Sequence, residues 1–259
     1  MGTDSIFTYS TLFGFLFTLA RISGVFAFLP LAAFRAGPEA SRIVLSLACT
    51  LLLWHSWQGP VMAEPGVARI LAGVAGEVSL GLAIGLALAV ALEVFQFAAQ
   101  SVSLAAGLGY ASFIDPTSGA DSTVLLTTAQ IAAGLFFFVS GADRLLIRAL
   151  ADSLRLCPPE SFTLHREWGM AMVQFFGSIF GAGLRLAAPV IALLLLADAS
   201  LAVLGRVQAQ LHLVSLTMPI KLAATMLLMS ATVALQPGFF ETRIGLFVQF
   251  VEGLLRSSR

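Results

Sequence analysis

Six ionisable residues stand inside long apolar runs of this sequence: Arg21, Glu77, Glu93, Arg185, Asp198 and Lys221. At mid-bilayer a charge costs about 2.5–3.5 kcal/mol on insertion scales, so a chain that keeps several must give them a use. Two kinds of chemistry fit. Such residues line a polar pathway for an ion or a substrate, or they pair between closely packed helices, within the chain or with its neighbours. The spacing favours pairing. Glu77, Gly81 and Gly85 recur in steps of four and share one helix face. Gly177, Gly181 and Arg185 repeat the arrangement, with Pro189 next in step. Small residues at that spacing let two backbones approach closely. Opposite charges on the two faces predict a buried Glu77–Arg185 pair.

Catalytic chemistry is not written in the chain. It has no HExxH, no GxSxG elbow, no phosphate-binding loop and no dinucleotide fingerprint. His55, His165 and His212 are scattered over separate segments and read as interfacial or loop residues rather than ligands. Ser140-Gly141-Ala142-Asp143 brings a hydroxyl near a carboxylate without a base, which reads as a helix-end turn. Cys49 lies in an apolar run and Cys157 in a polar loop. Both read as free, with no metal spacing around them. The expectation is a protein with no catalytic residue, no metal and no cofactor.

The elements that position these residues follow from composition. Hydrophobic residues make up 58% of the 259 and charged ones only 11%. One core cannot hide that much apolar surface in a chain of this size, so lipid must cover it. Formal net charge is zero, which removes nucleic acid as a partner. The N-terminus has no basic region and no small-residue cleavage site, so a cleaved signal peptide is not expected. The fold class is all-α: a polytopic integral membrane protein of long, kinked helical hairpins.

A spanning helix needs about 20 mainly apolar residues, and six runs qualify or come close. They cover 6–31, 43–57, 67–106, 124–150, 168–196 and 211–235. Pro30, Pro38, Gly59, Pro60 and Pro65 punctuate the first connections. Residues 107–122 form a loop rich in Gly, Ser and Asp, and the most polar stretch runs from Arg155 to Glu167. Pro189 and Pro219 fall inside the last two runs. The tail, 239–255, places Phe240, Ile244, Phe247, Val248 and Val251 near helical spacing, an amphipathic pattern suited to a membrane interface. If all six runs span, one side gathers Arg69, Arg144, Arg148, Arg155, Arg166, Arg243, Arg256 and Arg259. The other holds Arg35, Arg42 and Arg206. The positive-inside rule puts the richer side, with the C-terminus, in the cytoplasm.

An ordered set of residues across the chain carries a resemblance. It begins with Arg21, Phe28-Leu29-Pro30, and Pro38 followed by Arg42. It continues through Gly76-Glu77-Val78-Ser79-Leu80-Gly81-Leu82-Ala83-Ile84-Gly85, then Ala106-Gly107 and Asp115-Pro116. Arg185-Leu186-Ala187-Ala188-Pro189, Asp198, Arg206 and Met218-Pro219-Ile220-Lys221 complete it. The chain resembles the FliR family of the flagellar type III protein export gate, whose virulence-system relatives form the SctT family. One departure stands out. After Arg206 the family usually has Pro-Gln-Leu-Asn-Val-Phe, where this chain reads Ala209-Gln210-Leu211-His212-Leu213-Val214.

The resemblance implies a FliP-like helical part at 1–166, with a plug loop at 107–122, and a FliQ-like helical hairpin with the amphipathic tail at 167–259. It implies FliP-like and FliQ-like gate subunits as partners, with FlhB-like and FlhA-like export components beside them and unfolded export substrates passing through. The place implied is the bacterial inner membrane, in the flagellar basal body. In this setting the loop has a physical role. Tyr110, Phe113 and Ile114 can fill a narrow lumen beside Asp115 and Pro116, while Gly107 and Gly109 supply backbone freedom. Hydrophobic constrictions gate by excluding water. Assembly would also shelter the six buried charges from lipid. The alternative is a secondary transporter, in which Pro189 and Pro219 break the helices and Asp198 and Lys221 couple transport at the midplane.

Overall fold

The computed structural model describes residues 9–29, 40–53, 66–107, 124–158, 166–207, 221–227 and 236–257. Helices account for nearly all of them, and no strand occurs among the described residues. In chain order they are α1 (Tyr9–Ala27), α2 (Ala40–Leu52), α3 (Val67–Ala106), α4 (Val124–Val139), α5 (Ala142–Leu156), α6 (Arg166–Val207) and α7 (Gln236–Ser257). Residues 221–227, inside the sixth apolar run, are helical as well.

The chain is an all-α polytopic membrane protein, and among the described residues fewer helices are long enough to cross than the six apolar runs suggest, the sixth run lying mostly outside them. Among the described residues α3 and α6 are long and apolar enough to cross a membrane. A third crossing results if α4 and α5 count as one span bent by 64°. The first two runs yield helices of 19 and 13 residues, and the apolar cores of both are short for a crossing. Hydropathy measures how apolar a run is and not how long its helix continues.

Two glycines set boundaries that side chains with a Cβ resist. Gly107 closes α3 with φ 80° and its N–H on the Leu104 carbonyl, 3.1 Å away. Left-handed backbone of this kind ends many helices, and glycine adopts it without steric penalty. Gly141 has φ 72° and separates α4 from α5. Its N–H bonds the Phe138 carbonyl, while its own carbonyl accepts from Arg144 and Leu145. The Ser140–Asp143 stretch is thus a turn between helices, as its composition suggests.

The chain forms two compact units, interleaved in sequence. The first comprises Met1–Ala91, Phe137–Phe176 and Arg243–Arg259. Phe17, Ile22 and Val25 of α1 are buried in it with Leu80, Ile84 and Leu88 of α3, Leu150 and Leu154 of α5, and Phe247 of α7. The second comprises Leu92–Phe136 and Gly177–Thr242. Its core joins Ala98, Val102 and Ala106 of α3, Leu125 of α4, and Ala187, Val190 and Leu194 of α6.

The tail differs from the interfacial helix its pattern suggests. Phe240, Ile244, Phe247 and Val251 are all buried within the protein, and Phe175 stacks on Phe250 with ring centroids 4.7 Å apart. An amphipathic helix shows the same periodicity whether its apolar face meets lipid or protein.

Candidate functional site

In the first unit, α1, α3 and the end of α5 meet around one buried guanidinium. Arg21 is fully buried, and its Nε donates to Glu77 Oε2 at 2.5 Å. Nη1 donates to Ser153 Oγ at 3.2 Å and Nη2 to the Cys157 carbonyl at 2.8 Å. Both ion-pair partners are shut off from solvent, at 0% and 1% side-chain exposure, which makes this a charge-assisted contact in a low dielectric. A guanidinium suits the place because it offers several donors in a rigid plane.

The backbones come close enough to allow this. A Cβ added to Gly81 would collide with the Arg21 carbonyl oxygen, and one at Gly85 with that of Val25. From the other side, a Cβ at Gly24 would stand 2.9 Å from the Val78 carbonyl oxygen. Glycine on both helices is therefore the condition for the Arg21–Glu77 pair. At the end of α1, Arg42 of α2 donates to the Ala27 carbonyl at 3.3 Å, satisfying a helix-end acceptor.

The partner assigned to Glu77 from spacing is corrected here. Glu77 pairs with Arg21, while Arg185 lies exposed on α6 and makes no ion pair among the described residues. Spacing along one helix shows which residues share a face but not which helix that face meets. Gly177 and Gly181 likewise differ from Gly81 and Gly85: nothing lies within 4 Å of a Cβ built at either. Cys157 is buried rather than in a polar loop, its Sγ 3.7 Å from the Leu255 carbonyl oxygen, and neither cysteine is in a disulfide among the described residues.

In the second unit the remaining charges find local partners. Glu93 Oε2 accepts from Gln96 Nε2 at 2.8 Å, and Gln96 Oε1 accepts from Gln130 Nε2 at 2.9 Å. This ladder ties α3 to α4. Lys221 Nζ lies 2.5 Å from Asp198 Oδ1, joining the start of helical residues 221–227 to α6. Phe97 and Phe180 meet edge to face at 5.2 Å, where Gly183 leaves room for the Phe97 ring.

Several of these residues escape a reading by charge. Ser153 and the Cys157 carbonyl carry no intramembrane signal. Gly24 does, as a glycine in the interior of an apolar helical run, which implies a packing reason. Of the loop expected to act as a plug, Gly107 ends α3, while Gly109, Tyr110, Phe113, Ile114, Asp115 and Pro116 lie outside the described residues. The broken helix that a transporter requires is not formed at Pro189, since α6 runs unbroken from Arg166 to Val207. Pro219 lies outside the described residues.

Comparison with known proteins gives this arrangement its context. Residues 12–246 match the family described as bacterial export proteins, family 1. The flagellar biosynthetic protein FliR of Pectobacterium carotovorum subsp. carotovorum is 28% identical over 230 residues, covering 88% of this chain and 87% of that protein. The FliR of Escherichia coli is 27% identical over 224 residues, covering 86% and 85%. The Yop proteins translocation protein T of Yersinia pestis is 30% identical over 193 residues, 72% of each chain.

Proposed function

Because the chain belongs to family 1 of the bacterial export proteins, we propose that it is a subunit of the export gate of a type III secretion apparatus, the flagellar one, passing unfolded proteins across the inner membrane. The observation that carries this is similarity along nearly the whole chain, residues 12–246, with flagellar relatives aligned over most of their own length. A transporter built on a helix broken at Pro189 has no such support, because α6 is continuous there. The chemistry of the buried residues also fits a structural role. Arg21, Glu77, Ser153 and the Cys157 carbonyl bond one another, so they hold helices together rather than face a solute.

Within that reading the partners are FliP-like and FliQ-like subunits, with FlhA-like and FlhB-like components nearby. Residues 1–166 correspond to a FliP-like part and 167–259 to a FliQ-like hairpin with its tail. The loop at 107–122 plugs the pore, and the C-terminus lies on the cytoplasmic side, where Arg243, Arg256 and Arg259 satisfy the positive-inside rule.

Gentle extraction of the tagged chain from cells with the full apparatus, followed by mass measurement of the intact complex, tests this. The expected result is one assembly containing several small membrane proteins, and loss of flagellar protein secretion when the chain is deleted. A monodisperse monomer together with normal secretion in the deletion strain would overturn it.

A further inference from the structure

Of the two long helices, α6 is the one that the chain itself leaves open. In its most apolar stretch 17% of residues are buried within the protein, against 67% for α3. Gly177, Gly181, Leu184, Arg185, Ala188 and Ala192 are all exposed. They follow at steps of one to four and fall on one side of the helix, forming a continuous strip along α6 inside the second unit.

Lipid alone does not suit this strip. Arg185 has no ion-pair partner among the described residues, and Pro189, four positions on, has no N–H to give the Arg185 carbonyl. Residue 185 therefore presents both a charge and an acceptor where hydrocarbon offers neither an anion nor a donor. Trp168 stands 17 positions before it and Asp198 13 positions after, with no other charge between. At about 1.5 Å per residue these are roughly 25 and 20 Å along the helix, so Arg185 stands well inside the apolar stretch.

The first unit contains the finished form of the same device. There Gly81 and Gly85 admit the backbone of α1, and Arg21 meets Glu77 beside them. On α6 the glycines are in place with nothing within 4 Å of an added Cβ, Arg185 is in place, and no helix among the described residues brings a carboxylate to it. We infer that the strip centred on Arg185 seats a helix from another subunit of the gate, apolar along its length and bearing an aspartate or glutamate opposite Arg185. This rests on the reading of the chain as a gate subunit, and charge complementarity selects the occupant.

A photoreactive benzophenone side chain placed at Leu184 or at Leu195, exposed on the same side of α6, tests it in cells with the complete apparatus. Both positions should give adducts with one other gate subunit, identified by mass. Adducts only with a second copy of this chain, or only with lipid, would overturn the inference. Independently, Arg185→Glu should lower recovery of the other gate subunits by about tenfold or more, and Arg185→Lys by less. Exchanging the partner's carboxylate for arginine should restore recovery with Arg185→Glu. Arg185 is exposed, so these changes leave the chain's own packing intact. Undiminished recovery with Arg185→Glu removes the docking strip and leaves the gate reading standing. A wild-type chain that recovers no other gate subunit removes both.

Discussion

Arg21 divides its guanidinium among three acceptors, one on α3 and two at the end of α5, and that division predicts how its substitutions rank. Arg21→Lys keeps the charge but offers a single ammonium in place of the planar fork. It should reach Glu77 and leave Ser153 Oγ or the Cys157 carbonyl without its donor, at a cost of about 1–3 kcal/mol. Glu77→Gln leaves the guanidinium buried without an anion and should cost more, about 3–5 kcal/mol. Exchanging the two residues should recover only part of this, because a carboxylate at 21 would face the Cys157 carbonyl. Thermal unfolding of the purified assembly, with recovery of intact complex alongside, reads all three. Equal losses for the lysine and glutamine variants would mean that the three-way division is not what stabilises the site. At this scale the sequence marks the charges and the close-packing face, since both are local properties of residue type and spacing. It does not mark the partner. The choice between Arg21 and Arg185 for Glu77 depends on which helices meet, and the Ser153 hydroxyl and a backbone carbonyl look in sequence like any others.

Among the elements, α3 is legible to its ends. Its apolar run and the structure agree on Val67–Ala106, because a long uninterrupted apolar run bounded by Gly66 and Gly107 admits one interpretation. The run from Val124 to Leu150 is legible only in part: Ser140–Asp143 reads as a turn, but composition does not give the 64° by which the backbone bends there. Periodicity alone places α7 at a membrane interface when its apolar face is buried in protein. The turn at Gly141 carries a prediction of its own. With φ 72° and nothing within 4 Å of an added Cβ, Gly141→Ala meets backbone strain rather than a clash, about 1–2 kcal/mol. The variant should assemble with reduced thermal stability, and Gly141→Asn should lose less, since asparagine tolerates this conformation better. If alanine and asparagine behave alike and match wild type, the left-handed turn is not what orients α5 on α4.

For the molecule as a whole, the proposed plug is the feature whose removal should be seen in a living cell. Deleting residues 110–119 takes away Tyr110, Phe113 and Ile114 while leaving α3 and α4 in place. The gate should still assemble, and the closed state should leak. Cells should become sensitive to small ions or solutes while export of unfolded substrate is kept or only partly reduced. Membrane conductance, with assembly checked in parallel, gives the answer. Normal assembly without a leak would return these residues to an ordinary loop.

The length of α3 has one more consequence. Forty residues at about 1.5 Å each make a rod of roughly 60 Å, set against a hydrocarbon layer of about 30 Å. Tilting could absorb that mismatch only at an angle near ~60°, beyond the range of about 0–40° that single helices adopt. Part of this apolar rod must therefore stand clear of the hydrocarbon under a sheath of protein. Its depth is then fixed by the protein packed around it, which already buries 67% of its most apolar stretch, rather than by the lipid. The protein should hold its level in thin and thick bilayers alike, where an ordinary spanning helix would tilt to follow the change.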